Sequence, residues 1–146
     1  MTLQEILSVK GSEVHSIDEL ATLDDAVQRL VRHNCGSLVV LNRATDGGHR
    51  RMIGIITERD ILRACAARWP LAHTHVSDAM TRDVIVGAPT DSIDDTMEVM
   101  TERRVRHLPI LQHGELTGII SIGDVVKARH EQTMFENHHL KAYLHG

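Results

Sequence analysis

Two hydroxyl–aspartate pairs recur in this chain at one spacing. Thr57 stands three residues before Asp60, and Ser121 three residues before Asp124. Each pair closes a longer repeat: Gly54-Ile55-Ile56-Thr57-Glu58-Arg59-Asp60 and Gly118-Ile119-Ile120-Ser121-Ile122-Gly123-Asp124, offset by 118 − 54 = 64 residues. A carboxylate can accept two hydroxyl protons, so it suits a vicinal diol such as that of a ribose. A helix that begins beside it favours phosphate. The same residues have a plainer chemistry. A Thr or Ser followed three positions later by an acid is a capping box, here with Asp in place of the usual Glu or Gln. Duplication with the same flanking glycine weighs toward the ligand-binding reading, because two caps would not need that glycine.

The elements that must hold these pairs follow from pattern. Ile-Ile is a short β-branched run suited to a buried strand, and the hydroxyl that follows opens a helix. Upstream the halves match at a second offset of 70: Val14 answers Val84, Asp24-Asp25 answers Asp94-Asp95, and Leu38 through Leu41 answers Leu108 through Leu111. The difference, 70 − 64 = 6, is an insertion between Leu41 and Gly54. Asn42 to Arg51, with Asp46-Gly47-Gly48, reads as a long hairpin loop, and Gln112-His113-Gly114-Glu115 as its shorter counterpart. Leu3 to Leu7 suggests a short leading helix. The first half then reads as a strand (Val14 to Ile17), a helix from Thr22 with Leu23, Ala26, Val27 and Leu30 on one face, two strands (Leu38 to Leu41, Met52 to Ile56) and a helix from about Glu58 to Arg68, stopped before Pro70. The second half repeats this order over Val84 to Val86, Ser92 to Glu102, Leu108 to Leu111, Leu116 to Ile120 and a longer helix from Gly123. The fold class is α/β (α+β): two β-α-β-β-α repeats packed as a pseudo-twofold pair. The boundaries are 1–75 for the first repeat with its leading helix, 76–130 for the second, and 131–146 for a helical tail.

Composition narrows the function. Apolar residues make up 42% of the 146, enough to build a core. Trp69, Phe135 and Tyr143 are the only aromatic residues, too few for a platform that stacks single-stranded bases, and the formal charge of −4 argues against a nucleic-acid face. No apolar run suits a bilayer span and the start does not resemble a signal peptide, so no membrane partner and a cytoplasmic location are expected. Cys35 and Cys65 read as free thiols of a reducing cytosol. The chain carries 11 histidines, among them His130, His138, His139 and His145 in the tail, but no Cys-x-x-Cys or His-Glu-x-x-His, so no metal is expected. Cys35, His107 and several aspartates fit no nucleophile-elbow arrangement, so no catalytic residues are assigned.

The whole chain resembles a tandem pair of CBS domains, the cystathionine β-synthase-type regulatory modules. The resemblance rests on the two Gly-x-x-(Thr/Ser)-x-x-Asp motifs, Arg106-His107-Leu108-Pro109, and Ser77-Asp78-Ala79-Met80-Thr81 at the join. It covers residues 1 to about 130. Thr57-Glu58-Arg59-Asp60, the run from Ile120 to Arg129 and Leu140-Lys141-Ala142-Tyr143-Leu144 are similar to small stand-alone bacterial members. The resemblance implies an adenosine nucleotide as regulatory ligand: AMP first, with ATP, ADP or NAD(H) as alternatives. It places Asp60 and Asp124 on ribose hydroxyls, with Thr57 and Ser121 beside them. Val14 and Val84 would wall the adenine, and Arg106 and His107 would face phosphate. Lys10 would add a cation to the site of Ser121 and Asp124.

The two halves are unequal. Arg106-His107 answers Gly36-Ser37, Arg103-Arg104 answers His33-Asn34, and Arg59 answers Gly123. If the clefts draw their phosphate cations, for which Arg59, Arg104 and Arg106 are candidates, from different segments, the two clefts differ in affinity or ligand. The alternative for Arg103, Arg104 and Arg106 is a solvated basic helix end that complements the dipole. The resemblance also implies a homodimer through helices, extended by Phe135, Leu140, Tyr143 and Leu144. The expected protein is a non-enzymatic sensor read by a separate, unknown effector protein. The other readings are a nucleotide-handling or metal-dependent enzyme, and a dimerisation module without ligand.

Overall fold

The computed structural model describes residues 1–43 and 50–145, so Asp46-Gly47-Gly48 of the expected long loop lies outside the described residues. Residues Val14–Val84 form one compact unit, and Met1–Glu13 together with the chain from Ile85 onward form the other. The first is called the 14–84 unit here and the second the composite unit.

In the 14–84 unit the elements are β1 (Ser16–Asp18), α2 (Leu23–His33), β2 (Ser37–Leu41), β3 (Met52–Thr57), α3 (Glu58–Ala66), a 3₁₀ turn over Leu71–His73 and a short α4 (Val76–Ala79). The leading helix, α1 (Leu3–Lys10), belongs to the composite unit. The strands run in the order β1-β2-β3, with β1 parallel to β2 and β3 antiparallel. β1 begins at Ser16, two residues later than the pattern suggests, so Val14 precedes the strand. α2 starts where the sequence places it, because Thr22 Oγ1 accepts the Asp25 N–H while the Asp25 carboxylate accepts the Thr22 N–H. Its buried face is Leu23, Ala26 and Leu30. These side chains meet Ile17, Leu38, Val40, Ile56 and Ala64 in one core, which Val76 and Met80 of the α4 segment close.

The composite unit adds α5 (Ile93–Arg103), β4 (His107–Gln112), β5 (Glu115–Ser121) and α6 (Ile122–His145). β4 and β5 turn through His113 and Gly114, both at positive φ (53° and 78°), as a two-residue hairpin with right-twisted strands requires. Both hairpins shift register at equivalent places, Val40/Leu41 and Ile110/Leu111. α6 runs unbroken through the residues read as a separate tail, and Arg129 pairs it to Asp94 of α5.

Two expectations are corrected. The strand expected over Val84 to Val86 does not form; only Gly87 makes an isolated parallel bridge, to Ile110. It is the counterpart, at offset 70, of the Ile17–Val40 pair in β1. A Cβ at Gly87 would lie 2.8 Å from Leu108 Cδ2 and 3.2 Å from Leu3 Cδ1. The space that Ile17 fills in one unit is filled in the other by neighbours that include the leading helix. Pro89, which lacks an N–H, follows at once and cannot extend a ladder.

The second correction concerns α1, expected with the first repeat. Its Leu3, Ile6 and Leu7 are buried in the same core as Ile93, Met100, Leu108, Ile110, Ile120 and Val125. The tie is also made by backbone: Leu3 N–H donates to Asp91 O and Ile93 N–H to Met1 O. α4 repeats this in the other unit, where Val76 N–H donates to Ala21 O and Leu23 N–H to Thr74 O. α1 and α4 are therefore structural counterparts, each docking beside its unit's first long helix.

Candidate functional site

Both motif pairs form capping boxes. Thr57 N–H donates to Asp60 Oδ2 at 3.0 Å and Asp60 N–H donates back to Thr57 Oγ1 at 3.3 Å. Ser121 N–H reaches Asp124 Oδ2 at 2.8 Å, and Asp124 N–H reaches Ser121 Oγ at 3.1 Å. The shared glycine has a packing cause. A Cβ at Gly54 would sit 2.6 Å from Met80 Sδ, and one at Gly118 would sit 2.7 Å from Leu7 Cδ2. The docked helix of each unit presses on the strand there, so glycine, hydroxyl and acid each have a structural reason to recur.

What distinguishes the two aspartates is the partner each gains beyond its cap. Asp60 is buried and takes three donor protons: the Thr57 N–H, the Thr57 hydroxyl at 3.1 Å, and the Thr81 hydroxyl, shared between its two oxygens at 3.1 and 3.3 Å. Arg63 stands 3.8 Å away. Asp124 takes the ammonium of Lys10 on Oδ2 at 2.5 Å, and the same ammonium donates to the Ile119 carbonyl at 2.9 Å. Helix length makes this difference. Leu7 and Met80 occupy equivalent positions over Gly118 and Gly54, but α1 continues to Lys10 whereas α4 ends at Ala79. The extra turn carries a lysine to the carboxylate; without it, the next residue, Thr81, supplies a hydroxyl.

Burial pushes the Asp124 carboxyl up, but the Lys10 and Ser121 hydrogen bonds and the Lys10 charge outweigh it and hold the group below its ordinary value of 3.8. A carboxyl depressed in the folded state contributes stability that is complete above its unfolded value and is lost as pH falls through the folded one. The Lys10→Met variant is expected to lose about 0.5 to 1 kcal/mol at neutral pH, a modest figure because the side chains are 34% and 26% exposed. Its stability is then expected to fall less steeply than that of the parent below about pH 4, read as urea midpoints against pH.

The remaining expected residues distribute as follows. In the composite unit, β4 opens beside α6: His107 pairs with Ser121 across the sheet and Arg106 O accepts the Ile122 N–H at 2.8 Å. The side chains of Lys10, Ser121 and Asp124 and the backbone of Arg106 and His107 thus stand at one helix N-terminus. Arg104 is exposed at the end of α5 in the left-handed region (φ 55°), where its counterpart Asn34 has φ 49°. In the 14–84 unit, Arg59 is exposed on the first turn of α3, and Val14 and Val84 are half-buried outside any strand. Sequence reasoning missed Thr81 as a partner of Asp60. It stood in the quoted Ser77–Thr81 run, but 21 residues separate it from Asp60, beyond any helical or strand spacing. Burial pushes the Cys35 thiol up, a hydrogen bond with the Ser37 backbone opposes this and Glu58 adds to the rise; the net rise makes it a weak nucleophile. Among the described residues no cluster of three or more metal-ligating side chains occurs, and no helix is long and apolar enough to cross a membrane.

The CBS domain family model matches residues 5–67 and 76–131. This chain belongs to the CBS domain family. The CBS domain-containing protein CBSX3, mitochondrial, of Arabidopsis thaliana is 34% identical over 99% of this chain and 72% of its own length. The crystal structure of the CBS-domain containing protein ATU1752 from Agrobacterium tumefaciens shares 38% identity with a TM-score of 0.79, covering 88% of this chain and 99% of that one. The CBS domain protein PAE2072 from Pyrobaculum aerophilum, solved complexed with AMP, is 28% identical with a TM-score of 0.73, covering 85% of this chain and 89% of its own. The tandem CBS repeat accounts for the doubled motif, the paired hairpins and the matching helix docks.

Proposed function

We propose that this CBS protein is a regulatory module that binds an adenosine nucleotide, with AMP the favoured ligand and ATP, ADP or NAD(H) the alternatives. The observation that carries the reading is the cluster at the start of α6. There a partly exposed carboxylate, a hydroxyl and a lysine stand at one helix N-terminus, with the backbone of Arg106 and His107 beside them. Such a set supplies acceptors for a ribose diol and cations for a phosphate. A relative solved complexed with AMP supports it. Asp60 suits a ribose less well, since protein donors already fill most of its acceptor positions. Binding changes the conformation that a separate effector protein reads, and the nucleotide is returned unchanged. The protein acts in the cytoplasm.

Isothermal titration with AMP, ATP, NADH and S-adenosylmethionine tests this. Asp124→Ala is expected to weaken the favoured ligand by tenfold or more, and Asp60→Ala by less than Asp124→Ala. No heat from ligand-free protein with any of the four would refute the assignment and leave a dimerisation module. We further propose a homodimer through helices. It is supported by the exposed Phe135, Tyr143 and Leu144 of α6, at 64%, 85% and 69%, and is tested by sedimentation of the Phe135→Glu variant.

A further inference from the structure

We infer that Lys10 makes the Asp124 motif selective for charged nucleotides over uncharged nucleosides. The inference rests on the adenosine-nucleotide reading and adds the ligand feature that each motif senses.

Both carboxylates occupy the third position of a capped helix, yet their neutralising partners differ in kind. The hydrogen bonds to Asp60 come from neutral donors of Thr57 and Thr81, and its nearest cation, the exposed Arg63, stands off at 3.8 Å. Asp124 is held by a full positive charge on a flexible stem, and Lys10 keeps a second bond to the Ile119 carbonyl. Lys10 and the Ser121 N–H both sit on Oδ2, so a ribose diol that grips both oxygens of Asp124 competes with this ammonium for Oδ2. A nucleoside offers Lys10 nothing in exchange: it would leave the ammonium with one bond fewer while taking its carboxylate. A nucleotide brings its own anion. Its phosphate can take the ammonium as the diol takes Asp124, so an ion pair is exchanged and none is lost. The phosphate also lies beside the positive end of the α6 dipole. Lys10 thus acts against ligands that lack an anion and for those that carry one, two effects of opposite sign from one side chain.

The test is titration of AMP and of adenosine into the full chain carrying Asp60→Asn, which leaves Asp124 as the only charged motif acid. Lys10→Met and Lys10→Arg are then added to that background. The parent is expected to prefer AMP by at least tenfold. Lys10→Met is expected to weaken AMP about tenfold and to tighten adenosine severalfold, while Lys10→Arg keeps the preference. A variant that is merely destabilised would weaken both ligands together, so this crossing is the decisive readout. Changes of equal factor in both ligands, or no change in either, would overturn the inference while leaving the adenosine-nucleotide reading intact. Absence of binding by either ligand to the unmutated chain would overturn both. Should Asp60→Asn fail the far-UV circular-dichroism check for folding, the same Lys10 variants are compared in the Asp60 chain, where the crossing must appear in the AMP-to-adenosine ratio of one of two sites.

Discussion

Gly54→Val is expected to cost about 3 kcal/mol or more of stability, and Gly54→Ala about 2. Any side chain there meets Met80 Sδ at 2.6 Å and the Thr81 carbonyl oxygen at 2.8 Å. The sulfur can swing aside; the carbonyl cannot move freely, because Thr81 and Ile55 exchange both backbone hydrogen bonds at 2.8 and 3.0 Å. Relief requires the segment after α4 to lift from β3, which also withdraws the Thr81 hydroxyl from Asp60. Gly118→Ala is expected to cost less, about 1 kcal/mol, because the nearest atoms are methyl groups at the end of Leu7 and no backbone stands in the way. Urea midpoints at constant slope measure both. A Gly54→Ala loss below about 0.5 kcal/mol, or the reverse order of the two sites, would show that the close approach is not what fixes glycine there.

Leu3→Ala is expected to cost about 3 kcal/mol, as much as an Ile120→Ala change in the sheet beneath it. Leu3 is fully buried, and its methyls stand over the bridge residue Gly87 where the other unit has an isoleucine in its strand. No larger residue at 87 can collapse into the vacated space, so most of the cavity persists. A surface position near a helix start ordinarily changes stability by less than about 0.5 kcal/mol. A loss that small, measured by urea unfolding followed by circular dichroism, would place Leu3 outside the core and return α1 to the role of an appendage.

The parts of the fold legible in the sequence are those that local chemistry determines. Thr22 with Asp25 and Ser92 with Asp95 mark the starts of α2 and α5 to the residue. His113-Gly114 marks the tight hairpin, and the Ile-Ile runs mark β3 and β5. The parts that stayed hidden are set by distant partners. α4 has four residues, too few for a helical period to show, and forms because Ala21 O and the core around Val76 receive it. β1's counterpart fails where Leu108, Ile110 and Leu3 crowd Gly87, the last more than eighty residues away, and the sequence of Val84 to Val86 is as strand-like as any. At the site, the Lys10–Asp124 pairing was legible only through family resemblance, since 114 residues separate the two. In the sequence the motif glycine reads as favouring ligand binding, yet its cause is the close approach of a helix. That left the extra partner of each aspartate, and not the motif itself, as the feature that tells the two halves apart.

The helix that completes the composite unit precedes everything it packs against. Leu3 meets Ile93, Ile110 and Ile120 in the folded core, whereas every residue of the 14–84 unit lies within its own 71 positions (84 − 14 + 1). On a ribosome, the inner unit can close as soon as Val84 has left the exit tunnel. α1 must wait, its apolar face uncovered, until the strand ending at Ser121 has emerged. At about 5–20 residues per second the 121 − 10 = 111 residues from Lys10 to Ser121 take roughly 6 to 20 seconds, long for an exposed Leu3-Ile6-Leu7 stripe. Vectorial synthesis thus makes α1 the segment most in need of shelter from a chaperone, and predisposes it to dock on the core of another nascent copy when ribosomes crowd one message.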